Sequence, residues 1–312
     1  MAATEVPPSE TTRWRAVVRV LRSPLDSLGC TLLPASCSLC GSPLPRLSTV
    51  PICDACWREF PLQTQPICAQ CGDALPAAGL STLCRACRMA PPPFIRAVSH
   101  SVYQGRMREA IHALKYDRLY AASTRLGSML AAAIAQLHGQ APHEMLVIPV
   151  PLHRSKYAQR GFNQSRALAA QALRSLRKSH PEWRLTLASR TLLRQRATET
   201  QAGLTPRQRR INVRGAFVVS EPARVTGQHI LVVDDIFTTG ATARAAAQAL
   251  LQAGAASVWV ATLARAQLAA GFGSAATYED TEQAAPKAGT PGANTHANSS
   301  TNGSTFEEQP SF

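Results

Sequence analysis

Two adjacent carboxylates at the end of an aliphatic run, followed by a turn of threonines and one glycine, form the stretch of this sequence best suited to chemistry: HILVVDDIFTTGAT, residues 229–242. Carboxylates held side by side repel each other, and a Thr-Thr-Gly turn contributes little to a core, so the arrangement needs a reason outside packing. In a parallel sheet, ligands bind beyond the carboxyl ends of the strands. Asp234 and Asp235 would lie at such an end, and the turn after them would open a helix at its positive pole. Its backbone N–H groups, that of Ala241 among them, together with the hydroxyls of Thr238, Thr239 and Thr242, would make a nest for one phosphate. Gly240 lets the backbone come close to the anion. A phosphate beside two acceptors for vicinal hydroxyls describes a phosphorylated sugar.

The elements that must hold these groups are visible in the hydropathy pattern. MLVIPVP (residues 145–151), HILVVDD and SVWVATLAR (residues 257–265) are short continuous apolar runs, suited to strands buried on both faces. Between them, residues 163–178 repeat apolar positions at helical spacing through Leu168, Ala172 and Leu176, and residues 242–255 do the same and stop at Gly254. Strands alternating with helices predict an α/β unit with a mainly parallel sheet. The expected organisation is an N-terminal segment over 1–29, partly disordered, a cysteine-rich module over 30–90, an α/β domain over 94–270 and a disordered tail over 275–312. The proline run in MAPPPF (residues 89–94) reads as the linker between the two folded parts.

All nine cysteines fall between residues 30 and 88, and eight of them make four C-x-x-C pairs: Cys37/Cys40, Cys53/Cys56, Cys68/Cys71 and Cys84/Cys87. A C-x-x-C hairpin aims two thiolates at one tetrahedral ion, and a second pair about a dozen residues on completes the shell. Four such pairs predict two structural zincs in tandem ribbons. Disulfides would need an oxidising compartment, and residues 1–10 lack the basic-then-apolar plan of a signal peptide. Pairing in sequence order gives two compact ribbons; a cross-braced arrangement uses the same ligands. Cys30 stands outside the pattern and is expected to be buried as a small hydrophobe.

The chain has 312 residues and a formal net charge of +14. Between Arg154 and Arg214 stand thirteen arginines and two lysines against Glu182 and Glu199, a net charge of +13 on one segment. Such a block suits phosphates, of a nucleotide or of a nucleic-acid backbone. Removing the acidic tail leaves the rest at +18. The apolar runs all fall well short of the roughly 20 residues that a spanning helix needs, so the expectation is a cytoplasmic protein without a membrane span. Residues 11–22 can form a short basic amphipathic helix, expected to pack on the protein itself.

VVDDIFTTGAT closely resembles the phosphoribosyl-pyrophosphate (PRPP) motif of type I phosphoribosyltransferases. PVPLHRSKYAQRGFNQS (residues 149–165) and RATETQAGLTPRQRRINVRGAF (residues 196–217) resemble the signature blocks of the ComF family, which includes GntX-type proteins. The resemblance covers roughly residues 30 to 268. It implies a double zinc ribbon ahead of a phosphoribosyltransferase-like domain, and an association with DNA uptake in natural transformation. It further implies PRPP as ligand, carried with Mg²⁺, at Asp234, Asp235, Thr238, Thr239, Gly240, Ala241 and Thr242. Arg154, Lys156 and Arg160 follow the PVP strand end, where the pyrophosphate needs cations. Lys115, in LKYDR, sits where type I folds often bring a loop to the pyrophosphate. Asn163 can cap the helix after RGF, a structural reason that stands beside a functional one.

Two functions of different class follow. One is a DNA-uptake accessory protein with a PRPP-type site and a basic face for single-stranded DNA, to which Arg207, Arg209 and Arg210 would contribute, with DNA-uptake or helicase proteins as further partners. The other is a phosphoribosyltransferase acting on a nucleobase or amine acceptor. The segment 190–214 would form a mobile flap over the site or an extended surface loop. An aromatic content of 5% argues against a base-stacking platform. Replacing both aspartates by asparagine is expected to leave stability unchanged or raised, because it removes like charges held close together.

Overall fold

The computed structural model describes residues 35–267 except 46–49, 64–65, 78–80, 118, 197–207, 209–212 and 214. Cys30, the segment 11–22, the tail after 275 and Arg207, Arg209 and Arg210 lie outside the described residues. Two short helices, α1 (Asp54–Arg58) and α2 (Arg85–Met89), belong to the cysteine-rich region. The chain then runs β1 (Ala97–Val102), α3 (Gly105–Tyr116), α4 (Ser123–Ala135), β2 (Glu144–Pro149), α5 (Arg154–Arg160), α6 (Gln164–Ser179), β3 (Arg184–Leu187), β4 (Leu192–Arg194), β5 (Phe217–Val219), β6 (His229–Phe237), α7 (Ala241–Gln252) and β7 (Ser257–Arg265).

Five strands form one sheet in the order β1-β7-β6-β2-β3, every neighbouring pair parallel. The continuous aliphatic runs are explained by helices on both faces. On one face Val147, Leu231, Val233 and Ala261 meet α3, α4 and α6. On the other, Ile148, Ile230, Val232 and Val260 meet α7 and β5. The chain leaves β2 towards β3 on one side and leaves β6 towards β7 on the other. The order therefore reverses between β2 and β6, which opens a crevice at their carboxyl ends.

The structure adds detail at three places. The MAPPPF segment is not a loose linker: Phe94 is buried edge-on against Phe237, ring centroids 6.0 Å apart, and Arg244 donates to the carbonyls of Ala90 and Pro91 at 2.8 and 3.2 Å. Near the start of the 190–214 segment and just beyond its end, β4 and β5 pair antiparallel with each other, while most of the segment between them lies outside the described residues. Lys115 lies in the last turn of α3 rather than on a loop.

The two ribbons pack on opposite faces of the sheet. Cys37, Cys56, Trp57 and Phe60 join the core of α3 and α4, whereas Cys68, Cys71, Cys87 and Phe94 join that of α7.

Candidate functional site

Each ribbon gathers four cysteines whose sulfurs all lie within 4.8 Å of one another: Cys37, Cys40, Cys53 and Cys56 in the first, Cys68, Cys71, Cys84 and Cys87 in the second. The pairing is sequential. Individual Sγ–Sγ distances are 3.9 Å for Cys37–Cys56, 3.7 Å for Cys40–Cys53 and 3.6 Å for Cys71–Cys84. A disulfide would need about 2 Å, while a tetrahedron with Zn–S near 2.3 Å has edges of roughly 3.8 Å. The positions of the first tetrad recur 31 residues later in the second, and the details repeat with them. Cys53 N donates to Cys37 Sγ at 3.3 Å, as Cys84 N does to Cys68 Sγ at 3.3 Å, and Gly41 and Gly72 both adopt positive φ at the first knuckle. Four thiols so close conflict over charge: burial, with the neighbouring thiols, pushes Cys56 and Cys87 up and Cys71 up to about 12, while the Ser42 hydroxyl draws Cys40 down to about 6. A divalent cation at the centre resolves that conflict by holding every sulfur as thiolate.

The carboxyl end of β6 carries the second cluster. Asp235 is buried, and its Oδ2 lies 2.9 Å from Lys115 Nζ while its Oδ1 accepts from Ile236 N at 2.8 Å. Burial alone would raise the Asp235 carboxyl, but the Lys115 ammonium and, beyond it, the Arg160 guanidinium hold it below the usual carboxylate range. Asp234 goes the other way: burial and the Asp235 charge push it up to about 7, although Asp235 N and Ser165 Oγ donate to its Oδ1 at 2.9 and 3.0 Å and the Lys115 ammonium also opposes the rise. Arg194, at the end of β4, feels the Asp234 charge; burial nonetheless pulls its guanidinium below its ordinary value.

Beyond the acids, Gly240 takes φ 75° and N-caps α7 without a side-chain cap bond; Thr239 Oγ1 accepts from Ala241 N at 3.4 Å. Asp234, Thr238, Gly240, Thr242, Ala243 and Thr262 line one small cleft. Lys115, Tyr116, Gln159 and Arg160 line another. An anion in the first would meet the helix pole and the threonine hydroxyls, with Asp234 alongside to accept from sugar hydroxyls. Of the remaining expected residues, Arg154 is exposed at the start of α5 and Lys156, in the same first turn, is half-buried. Asn163 N-caps α6, accepting from Arg166 N at 3.0 Å, and donates to Val150 O at 3.0 Å, which ties the helix to the end of β2.

Sequence reasoning missed Ser165 and the aromatic rim. Tyr116, Tyr120 and Tyr157 are all exposed. The Arg160 guanidinium stacks 5.0 Å over the Tyr116 ring, and Tyr120 donates to Arg160 O at 3.1 Å while packing edge-on against Phe162. A chain-wide aromatic percentage hides such a concentration at one place.

Residues 29–88 match the family described as double zinc ribbon domain, and residues 161–279 match the phosphoribosyl transferase domain family. The DNA utilization protein YhgH of Escherichia coli O157:H7 is 37% identical over 239 residues, covering 75% of this chain and 98% of that protein. The chain belongs to the ComF family. Its resemblance within the family extends to the YhgH of Salmonella typhi, 37% identical over 235 residues with the same coverage. Competence protein F of Haemophilus influenzae is 26% identical over 231 residues, covering 73% of this chain and 90% of that protein. The ComF architecture, a cysteine-rich zinc module followed by a phosphoribosyltransferase domain with a parallel sheet, is the one described above. Among the described residues no helix is long and apolar enough to cross a membrane.

Proposed function

We propose that this ComF family member binds a phosphoribosyl ligand, PRPP with Mg²⁺ being the best fit, between β6 and the start of α7, and binds single-stranded DNA across its basic face in DNA uptake or utilization. The observation that carries the ligand is the convergence of Asp234 and the Thr238–Thr242 turn on one cleft at the point where the strand order reverses. Asp234 accepts from the ribose hydroxyls with Asp235, held by Lys115, behind it, the turn takes the 5′-phosphate, and Arg160 faces the pyrophosphate. Support for DNA comes from the +13 segment, from the exposed tyrosines beside Arg160 and from the names of the relatives.

The test is a titration of purified protein with single-stranded DNA at several salt concentrations. Each neutralised phosphate contributes a slope of about −0.7 in log K against log salt. Replacing Arg207, Arg209 and Arg210 together should flatten the slope by roughly 2 units, whereas Tyr157→Ala should weaken binding about tenfold with the slope unchanged, because stacking releases no counterion. Binding by the unaltered protein that is absent at about 0.15 M salt removes the DNA half of the proposal.

The match of residues 161–279 to a phosphoribosyl transferase domain favours a second reading, transfer of the phosphoribosyl group to a nucleobase or amine. The guanidinium of Arg160 would then stabilise the charge that develops on the departing pyrophosphate. Pyrophosphate release from PRPP that depends on an added acceptor is its signature.

A further inference from the structure

We propose that Arg265 mechanically couples the second cysteine tetrad to the phosphate turn, so that metal in that tetrad, and not in the first, raises affinity for the phosphoribosyl ligand. The inference rests on the ligand reading above and adds a positioning residue and a control over it. Arg265 ends β7 and is 2% exposed. Its Nη1 donates to the carbonyls of Phe237 at 3.1 Å, of Ala266 at 3.2 Å and of Thr238. Its Nη2 reaches Asp73 Oδ1 at 3.3 Å and Cys71 Sγ at 3.9 Å, so one planar group touches both a cysteine of the tetrad and the turn. The guanidinium carbon lies 4.5 Å from the Phe237 ring centroid, and that ring fills the space beneath Gly240, where a Cβ would come within 2.6 Å of its Cζ. Sulfur, guanidinium, turn carbonyl and glycine thus form one packed line.

A guanidinium is a rigid fork of donors, so fixing one side fixes the other. Metal bound at the second tetrad holds Cys71 Sγ as a stationary anion, which in turn holds Arg265 and the Thr238 carbonyl. The first tetrad leads elsewhere: Arg106 donates to Leu39 O at 2.7 Å from α3, and Arg125 pairs with Asp54 at 3.1 Å from α4. Coupling of this kind is reciprocal, so ligand must tighten the retention of the metal by the factor by which metal tightens ligand.

The experiment measures zinc retention against a chelating dye at equilibrium, with and without PRPP and Mg²⁺, and Mg-ATP at equal concentration as the control for chelation. PRPP should tighten the hold on one zinc about fivefold and leave the other unchanged. Cys84→Ser should weaken PRPP binding by a similar factor, and Cys53→Ser should not. Arg265→Lys should keep both zincs while PRPP no longer affects either. PRPP binding with equal effect, or none, on the two zincs overturns the coupling and leaves the ligand site standing. Failure of the unaltered protein to bind PRPP sinks the site and the coupling together. Should Cys84→Ser not fold, the linkage in the unaltered protein decides alone.

Discussion

Lys115 reaches Asp235 at 2.9 Å from the end of α3, and this contact separates the fates of two acids that the sequence treats as a pair. Removing both charges is therefore not neutral. Asp235→Asn strands a buried ammonium and should cost about 3–5 kcal/mol in chemical denaturation. Asp234→Asn removes a charge that its surroundings resist and should be neutral or stabilising at pH 8. Lys115→Met combined with Asp235→Asn should recover much of the single-variant loss. Asp234 also sets a pH dependence. Its carboxyl is raised to about 7 in the folded chain against an ordinary 3.8, so the folded state holds the extra proton across that window. That contribution is complete below about pH 4 and is lost as pH rises through about 7, on the order of 4 kcal/mol. Asp235, held low, acts oppositely and only below its ordinary value. Stability measured from pH 5 to 8 should fall less in Asp234→Asn than in the unaltered protein. The sequence displayed both acids and the turn, because strand-end acids and a Thr-Thr-Gly turn are local features. It could not display Lys115, Ser165 or Arg265 as their partners, since those arrive from three other elements.

Packing of α4 on α6 depends on one absent methyl group. A Cβ at Gly127 would lie 2.4 Å from Gln171 Cβ and 3.1 Å from Leu168 O. Gly127→Ala should therefore cost about 1–3 kcal/mol through a forced shift of the two helices, yet leave ligand affinity within a factor of two. Gly240→Ala meets Phe237 and also needs φ 75°, so it should lose similar stability and ligand affinity together. Isothermal titration with PRPP beside a denaturation curve separates the two cases. At this scale β2, β6 and β7 were legible because burial on both faces demands unbroken aliphatic runs. β1, AVSHSV, was not: its Ser99 and Ser101 are buried polar positions satisfied across strands or by His100, a pattern that reads as surface. β4 and β5 are three residues each, below what periodicity resolves.

Across the whole molecule the ribbons are not appendages, since each lends its cysteines and aromatics to the core on one face of the sheet. Cys→Ser within any C-x-x-C pair should lower zinc content by about one ion, and stripping both ions should lower the melting temperature of the entire protein by about 10 °C rather than melting a separate small unit. Metal analysis beside calorimetry decides this, and an unchanged main transition would contradict the shared cores. The sheet itself carries a further consequence. β1 finds its backbone partner in β7, and Ser99 Oγ meets Thr262 Oγ1 at 2.6 Å across 163 residues of chain. A ribosome adding roughly 5–20 residues per second brings that partner out some ten to thirty seconds after β1 itself. Throughout that interval the cysteine ribbons are already out and able to take metal, while the strand beside them has an unpaired edge. The nascent chain is thus a metal-loaded but sheet-open species, and this window is when it should depend most on chaperones.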